Sequence, residues 1–161
     1  MFTKTFEIRW SDLDANRHVA NSSYANFFTE ARMSLLKANG FTQGTFAELG
    51  IGPVIFSEDF YYMKEIRPNE IITIGIELLA STADFKYAKF AQYIFNQENK
   101  FSIYSEVFFG WFNLKDRKLI VPPENLQKTI TSLLKSDKYE LWPDNIDLKN
   151  PKIPFGKKLD V

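Results

Sequence analysis

The sequence contains no cysteine and only one histidine, His18, among 161 residues. Without cysteine the chain cannot form a disulfide, a zinc–thiolate site or a cysteine nucleophile, and one histidine makes a dedicated zinc site improbable. Net charge is also lacking, because 20 basic residues balance 20 acidic ones. Proteins that bind nucleic acid through its phosphates usually carry a basic excess or stripe. We therefore predict no nucleic-acid partner and no metal.

Several sequence signals of membrane insertion or nucleotide chemistry are missing as well. No hydrophobic run approaches the roughly 18 residues of a membrane span, and the N-terminal residues lack the apolar centre of a signal peptide. The chain has no P-loop, no dinucleotide-binding glycine pattern and no G-x-S-x-G elbow. These absences predict a cytoplasmic protein without a membrane partner or a serine triad.

Apolar residues, in contrast, are abundant: 45% of the chain is hydrophobic and 16 residues are phenylalanine. This content and length fit one domain with a sizeable core. Apolar spacings of three and four predict a helix of about five turns from Tyr24 to Ala38, with Asn21, Ser22 or Ser23 as its N-cap. A shorter helix is predicted from Pro122 to about Leu134. Alternation predicts strands over residues 2–10, 54–66, 72–78, 87–95, 101–114 and 119–121.

This order of elements predicts an α+β fold in which a curved antiparallel sheet wraps around one long central helix. The predicted strand 101–114 is apolar on both faces. We therefore expect a second copy, in a homodimer or homotetramer, to cover the sheet face turned away from the helix. Residues 1–135 are assigned to this single domain. Residues 136–161, which contain three prolines, are predicted to form an irregular C-terminal extension.

Small polar residues concentrate just before the long helix, in the stretch S-D-L-D-A-N-R-H-V-A-N-S-S-Y that runs from Ser11 to Tyr24. The helix then carries E-A-R at residues 30–32. This pattern resembles the hotdog-fold thioesterases. It is similar to acyl-CoA thioesterases of the 4-hydroxybenzoyl-CoA type in its aspartate-then-helix layout. It looks closer still to plant and bacterial acyl-ACP thioesterases in S-D-L-D-x-N-x-H-V-x-N. The element order resembles the family over roughly residues 3–121.

The resemblance implies an acyl thioesterase that hydrolyses acyl-CoA or acyl-ACP to a free acid and a thiol. It further implies that the active site lies at a dimer interface and that the reaction uses no cofactor. Matched by position, Asp14 corresponds to the catalytic aspartate, and Asn16 with His18 to the polar pair that supports it. Asn21 lies where a backbone amide at the helix start polarises the thioester carbonyl. The sequence departs from the family pattern at Arg17, where Gly or Gln is usual.

The chemistry of thioester hydrolysis agrees with these assignments. A carboxylate such as that of Asp14 can act as nucleophile or as general base to water. N–H groups at a helix N-terminus, here near Asn21, offer partial positive charge where an oxyanion develops. Lys64 and Arg67 are candidates to contact CoA phosphates or an acidic carrier protein, and Tyr24 is a candidate to contact substrate. No metal or redox cofactor is required.

Each candidate also has a structural interpretation. Asp14 and Asn16 are typical turn residues, and a lone histidine is more often a hydrogen-bonded structural residue. Tyr24 lies on the apolar stripe of the helix, where core packing competes with substrate contact. Asp12 fits a structural carboxylate better than a catalytic one. A different branch of the fold uses a helix carboxylate, which makes Glu30 an alternative catalytic residue.

Two other functions remain open at this stage. The same fold can serve as a non-catalytic module that binds a thioester or lipid. Retention of Asp14, Asn16 and His18 together favours the enzyme, because a binding module needs no general base beside a helix amide. A hydratase or dehydratase of this fold would call for a histidine motif placed differently from the one present here.

Overall fold

The computed structural model, which describes residues 1–143, has one large sheet curled around a long helix. The elements in chain order are β1 (Phe2–Glu7), a 3₁₀ turn (Trp10–Asp12), α1 (Asn21–Ala38), α2 (Gln43–Leu49), β2 (Ile51–Tyr62), β3 (Ile71–Thr82), β4 (Tyr87–Phe95), β5 (Phe101–Asn113), β6 (Lys118–Ile120), α3 (Glu124–Leu134) and β7 (Lys135–Trp142). The strands follow the order β1-β3-β4-β5-β2, with β6 beside β5 and β7 beside β3. Every pairing is antiparallel except that of β3 with β7. Within residues 1–143 no helix is both long and apolar enough to cross a membrane.

The core lies between α1 and the concave face of the sheet. On β3, Ile72, Ile74, Ile76 and Leu78 are completely buried. Because successive strand residues point to opposite faces, this set shares the face turned toward α1. The stripe that α1 buries against them is Tyr24, Phe27, Phe28, Ala31 and Leu35. The predicted α+β fold, a sheet wrapped around one long helix, is confirmed.

Helix α2 was not predicted. It is only two turns long, too short for apolar periodicity to be recognised. Its ends nevertheless carry local signals: the Thr42 hydroxyl caps the start by accepting the Thr45 N–H at 3.2 Å, and Gly50 ends the helix in the left-handed region at φ 63°.

The first part of the predicted irregular extension is a strand. Residues Lys135–Trp142 form β7, which pairs with β3 beyond the point where β1 ends. Strand β1 covers β3 only from Ile71 to Ile76, so the rest of that edge would otherwise leave backbone groups without partners. Trp142 packs edge-on against Phe108 on the outer face, at a centroid distance of 5.6 Å. Residues 144–161 of the predicted extension lie outside the described residues.

A polar cluster lies between α1 and β2, inside the otherwise apolar core. One guanidinium nitrogen of Arg32 donates to Glu58 at 2.9 Å and to the Gln92 carbonyl at 2.6 Å. Gln92 is fully buried and donates in turn to Glu58 and Ser105. The Arg32 and Glu58 side chains are only 12% and 13% exposed. Both charges of such a pair must be present, because a single nearly buried charge without its partner destabilises the folded state.

We expect Arg32→Met to lower the free energy of unfolding by about 2–3 kcal/mol, since it leaves the Glu58 carboxylate nearly buried and unpaired. The double variant Arg32→Met/Glu58→Leu removes both charges and should return to within about 1 kcal/mol of wild type. Urea unfolding followed by circular dichroism measures both. The matched control is Lys128→Met, which breaks the exposed Lys128–Glu124 pair and should change stability by less than about 0.5 kcal/mol. Equal losses in the double and single variants would contradict the expectation.

Candidate functional site

The polar stretch before α1 folds into a tight hairpin that is held by backbone hydrogen bonds. Leu13 and Val19 form a bridge, and the Asp14 N–H donates to the His18 carbonyl at 2.9 Å. The Arg17 N–H donates to the Asp14 carbonyl at 3.1 Å, and Arg17 adopts a left-handed φ of 62°. Asp14 therefore lies at the base of the hairpin, immediately before the helix.

The Asp14 carboxylate is held by this hairpin. Its Oδ1 accepts the backbone N–H of Asn16 at 2.8 Å and that of His18 at 3.3 Å. Asp14 is exposed, and within residues 1–143 nothing donates to its Oδ2. Asp14 therefore makes the hydrogen bonds of a turn-forming aspartate through one carboxylate oxygen, and its other oxygen accepts none of the hydrogen bonds found within residues 1–143. Asn16 and His18 contact Asp14 through their backbones, not through their side chains.

The His18 imidazole points to a residue that the sequence did not indicate. Its Nε2 lies 2.9 Å from Glu65 Oε2. Hydrogen bonds from the Arg67 guanidinium lower the pKa of the Glu65 carboxyl, so Glu65 is ionised at neutral pH. Arg67 reaches Glu65 at 2.6 Å, so the Glu65 carboxylate contacts both the Arg67 guanidinium and the His18 imidazole.

The start of α1 presents an open backbone donor. Ala20 is the N-cap, with extended φ and ψ, so Asn21 is the first helical residue instead of the cap. The Asn21 side chain accepts the Ser22 N–H at 2.9 Å. The Asn21 N–H has no acceptor within residues 1–143, as expected for the first turn of a helix. An unpaired N–H at a helix start can donate to an oxyanion.

Asp12 holds the hairpin against the helix start. Its carbonyl accepts the Ala20 N–H at 2.8 Å and the Ser23 hydroxyl at 3.1 Å. Hydrogen bonds from the Arg9 guanidinium hold the pKa of the Asp12 carboxyl below its usual value. The contacts of Asp12 support its structural interpretation.

The hairpin and the helix start border an open surface depression of about 330 Å³, called here the cavity at the helix start. Five of the predicted site residues line it: Asp14, His18, Asn21 and Tyr24 from the hairpin and α1, and Lys64 from the β2–β3 connection. Burial raises the pKa of the Tyr24 phenol to about 12, so its hydroxyl remains a donor at neutral pH. The remaining lining residues are Val19, Tyr62, Met63, Glu65 and Ile103.

The family model described as Thioesterase-like superfamily matches residues 8–130. The chain belongs to this superfamily. No curated protein sequence matches the chain. The hotdog-like fold implied by the hairpin motif is confirmed.

Solved structures of other proteins share this fold at low sequence identity. A DHNA-CoA thioesterase from Staphylococcus aureus is 16% identical, with a TM-score of 0.74 over 81% of this chain and 89% of that one. A hypothetical protein of the same species, solved in complex with CoA, is 17% identical, with a TM-score of 0.75 over 99% of this chain and 94% of that one. The probable thioesterase YbaW from Escherichia coli is 22% identical, with a TM-score of 0.69 over 84% of this chain and all of its own.

Two predicted residues of this thioesterase-like chain do not line the cavity. The Asn16 side chain is exposed, and the Arg67 guanidinium is bonded to Glu65. The alternative residue Glu30 faces a different depression, shared with Lys4 and Lys37, that does not include Asp14. The sequence did not single out Tyr62, at the end of β2, or Glu65, in the β2–β3 connection, because both are distant in sequence from the hairpin and meet it only in the folded chain.

A second, apolar cavity of about 220 Å³ lies further along α1 in this thioesterase-like fold. Three helix–strand pairs succeed one another from the first cavity toward it: Tyr24–Tyr62 at 5.6 Å between ring centroids, Phe28–Phe60 at 6.0 Å, and the Arg32–Glu58 ion pair. Because helix residues at i, i+4 and i+8 share one face, the three pairs form a continuous column. The apolar cavity is lined by Thr29, Arg32, Met33, Leu35, Leu36, Pro53, Ile55, Phe90, Val107, Phe109, Trp111 and Ile130.

Proposed function

We propose that this chain is a cytoplasmic thioesterase that hydrolyses acyl-CoA or acyl-ACP to a free carboxylic acid and a thiol. The observation that supports this most directly is that Asp14 and Asn21 line one cavity, at the first turn of α1. An exposed carboxylate oxygen and an unpaired helix N–H are the two groups that acyl transfer from a thioester requires. Membership of the Thioesterase-like superfamily agrees with this chemistry.

The proposed reaction begins with the thioester carbonyl oxygen on the Asn21 N–H. Asp14 either takes a proton from water, whose oxygen attacks the carbonyl carbon, or attacks that carbon itself. In both cases the C–S bond breaks: in the water route Asp14 passes the proton it took to the leaving sulfur, whereas in the nucleophilic route the sulfur leaves as a thiolate and takes a proton from solvent. The water route gives the acid directly, whereas the nucleophilic route forms an anhydride that a water molecule then cleaves.

The other predicted residues receive supporting roles. The backbone N–H groups of Asn16 and His18 orient the Asp14 carboxylate. Tyr24 and Lys64 line the cavity and are proposed to contact the substrate. Arg67, which is held by Glu65 at the rim, is proposed to contact the substrate's phosphates by exchanging that partner.

We also propose that the protein is a homodimer or homotetramer. Strand β2 is at the edge of the described sheet, and it exposes large apolar side chains. Ile55 is 47% exposed, and Tyr61 and Tyr62 are 54% exposed. An edge strand with such side chains is a template for pairing with another chain. Sedimentation equilibrium at several concentrations tests the oligomeric state, and a monomer throughout would contradict it.

A non-catalytic thioester-binding module is the second candidate. It is favoured by one observation: the hydrogen bonds from Asn16 and His18 give Asp14 a structural role that needs no chemistry. Such a module would bind a thioester in the same cavity without releasing a thiol.

Thiol release from a panel of short, long and aromatic acyl-CoAs, read with a chromogenic disulfide, separates the two candidates. We expect turnover with at least one class of acyl group. If no CoA ester reacts, acyl-ACP substrates are tested next in the same assay. Saturable binding of the esters by calorimetry, with no thiol released from either carrier, would replace the hydrolase with the binding module.

A further inference from the structure

A further depression, called here the Trp10 cleft, has no role in the proposed reaction. Its volume is about 630 Å³, within the usual range for small-molecule sites. The hairpin contributes Asp14 and Arg17 to the cleft, the residues just before the hairpin contribute Trp10 and Ser11, and the β2–β3 connection contributes Pro68 and Asn69.

Trp10 forms part of the wall of this cleft. It is 89% exposed, the highest fraction among the large exposed apolar residues of the described chain. An indole is a large apolar surface with a polar tip, so burial or a stacking partner would normally stabilise it. Flat aromatic surfaces held open in a cleft are suited to stack on another planar ring, and every nucleic-acid base offers one.

Arg17 places a cation on the same cleft, and its backbone is strained there. Its φ of 62° is in the left-handed region, where a residue other than glycine is strained. Within residues 1–143 its guanidinium makes no ion pair. Arg9, the nearest arginine in the sequence, is in contrast tied to Asp12. A strained position that retains an unpaired guanidinium indicates a use for the charge, and planar guanidinium groups suit phosphate recognition.

Asp14 connects this cleft to the cavity at the helix start, because it lines both. A ligand that occupies both spaces passes the carboxylate on the way. The cleft therefore lies beyond the reacting end of a substrate held at Asn21.

We propose that this cleft binds the adenine nucleotide of a CoA thioester, with the adenine ring on Trp10 and a phosphate on Arg17. The pantetheine arm then runs past Asp14 into the cavity at the start of α1. This inference rests on the proposed function for the reaction itself. It selects acyl-CoA over acyl-ACP as the substrate class, because an acyl carrier protein brings the arm without the adenine.

Binding of adenosine 3′,5′-bisphosphate, the nucleotide end of CoA, tests the cleft without any turnover. We expect saturable binding by calorimetry and quenching of tryptophan fluorescence. Trp10→Leu and Arg17→Gly should each weaken binding about 10-fold or more, and Trp10→Phe, which retains a ring, should recover most of the loss. Arg17→Gly also relieves the left-handed strain, so weaker binding in a variant that is at least as stable cannot be ascribed to misfolding.

Arg117→Gly is the matched control. Arg117 is likewise an arginine with a left-handed φ, 54°, but it lies over Phe112 in the β5–β6 turn and does not line the cleft. Its substitution should leave bisphosphate affinity unchanged. Absence of bisphosphate binding to wild type, or equal affinity in the Trp10 and Arg17 variants, would refute the proposal.

Further ligands separate this inference from the proposed function. ATP that binds more tightly than CoA would overturn the proposal in favour of a free-nucleotide site. Equal kcat/KM for acyl-CoA and the matching acyl-pantetheine would also overturn it, because the adenine end would then contribute nothing. If the bisphosphate binds through Trp10 and Arg17 but no thioester is cleaved, the nucleotide cleft stands and the hydrolase proposal fails. If thioesters are cleaved but the bisphosphate does not bind, the hydrolase proposal stands and the nucleotide cleft is refuted.

Discussion

Asp14→Asn is expected to lower kcat for the best thioester substrate at least about 100-fold, while the fold is retained. Asparagine has the same shape, and its side-chain oxygen can still accept the N–H groups of Asn16 and His18 that hold the hairpin. What it loses is the ability to take a proton from water or to attack the carbonyl. Thiol release over a range of substrate concentrations measures kcat and KM separately.

Asp84→Asn is the control for that substitution. Asp84 makes a similar turn between β3 and β4, where its Oδ1 accepts the Lys86 N–H at 3.0 Å and the Thr82 hydroxyl at 2.7 Å. It does not line the cavity at the start of α1. Its substitution should leave turnover within about twofold of wild type, as expected for a site away from the chemistry. Undiminished turnover in Asp14→Asn would remove Asp14 from the mechanism and make Glu30 the next residue to replace.

Asn21→Pro is expected to lower kcat by about 100- to 1,000-fold, the usual effect of removing one oxyanion donor. Asn21 is the first residue of α1, and proline is favoured at that position because its N–H is not needed by the helix. The preceding residue, Ala20, has φ −61° and ψ 143°, a conformation that a following proline accepts. The substitution therefore deletes the proposed donor with little other disturbance.

Asn21→Ala separates the backbone from the side chain. It loses the bond from Asn21 Oδ1 to the Ser22 N–H but retains the N–H of residue 21. We expect its kcat to stay within a few-fold of wild type. Equal losses in the Pro and Ala variants would assign the effect to the side chain and would rule out the backbone N–H as the oxyanion donor. Thermal unfolding of both variants confirms that the helix start is intact.

The polar side of the site was largely predictable because it is local in the chain. Asp14 and Asn21 are separated by a single hairpin, so a motif and the start of a helix were enough to bring them together. The alternation in β3 and the stripe on α1 predicted the α+β fold for the same reason: each depends on residues within one element. The mode of contact was less predictable, since Asn16 and His18 hold Asp14 through backbone N–H groups that a side-chain motif does not reveal.

The amino-acid sequence by itself determined the long helix, the strands of the main sheet and the carboxylate at the helix start. Only the tertiary structure decided that His18 meets Glu65, that Arg32 is matched by Glu58, and that β7 completes the edge of β3. Only the fold, too, placed Trp10 and Arg17 on one cleft. The physical reason is that backbone propensity and apolar period act within a few residues of the chain. Ion pairs, cavities and the pairing of sheet edges join segments that are distant in sequence, so they exist only once the chain is packed.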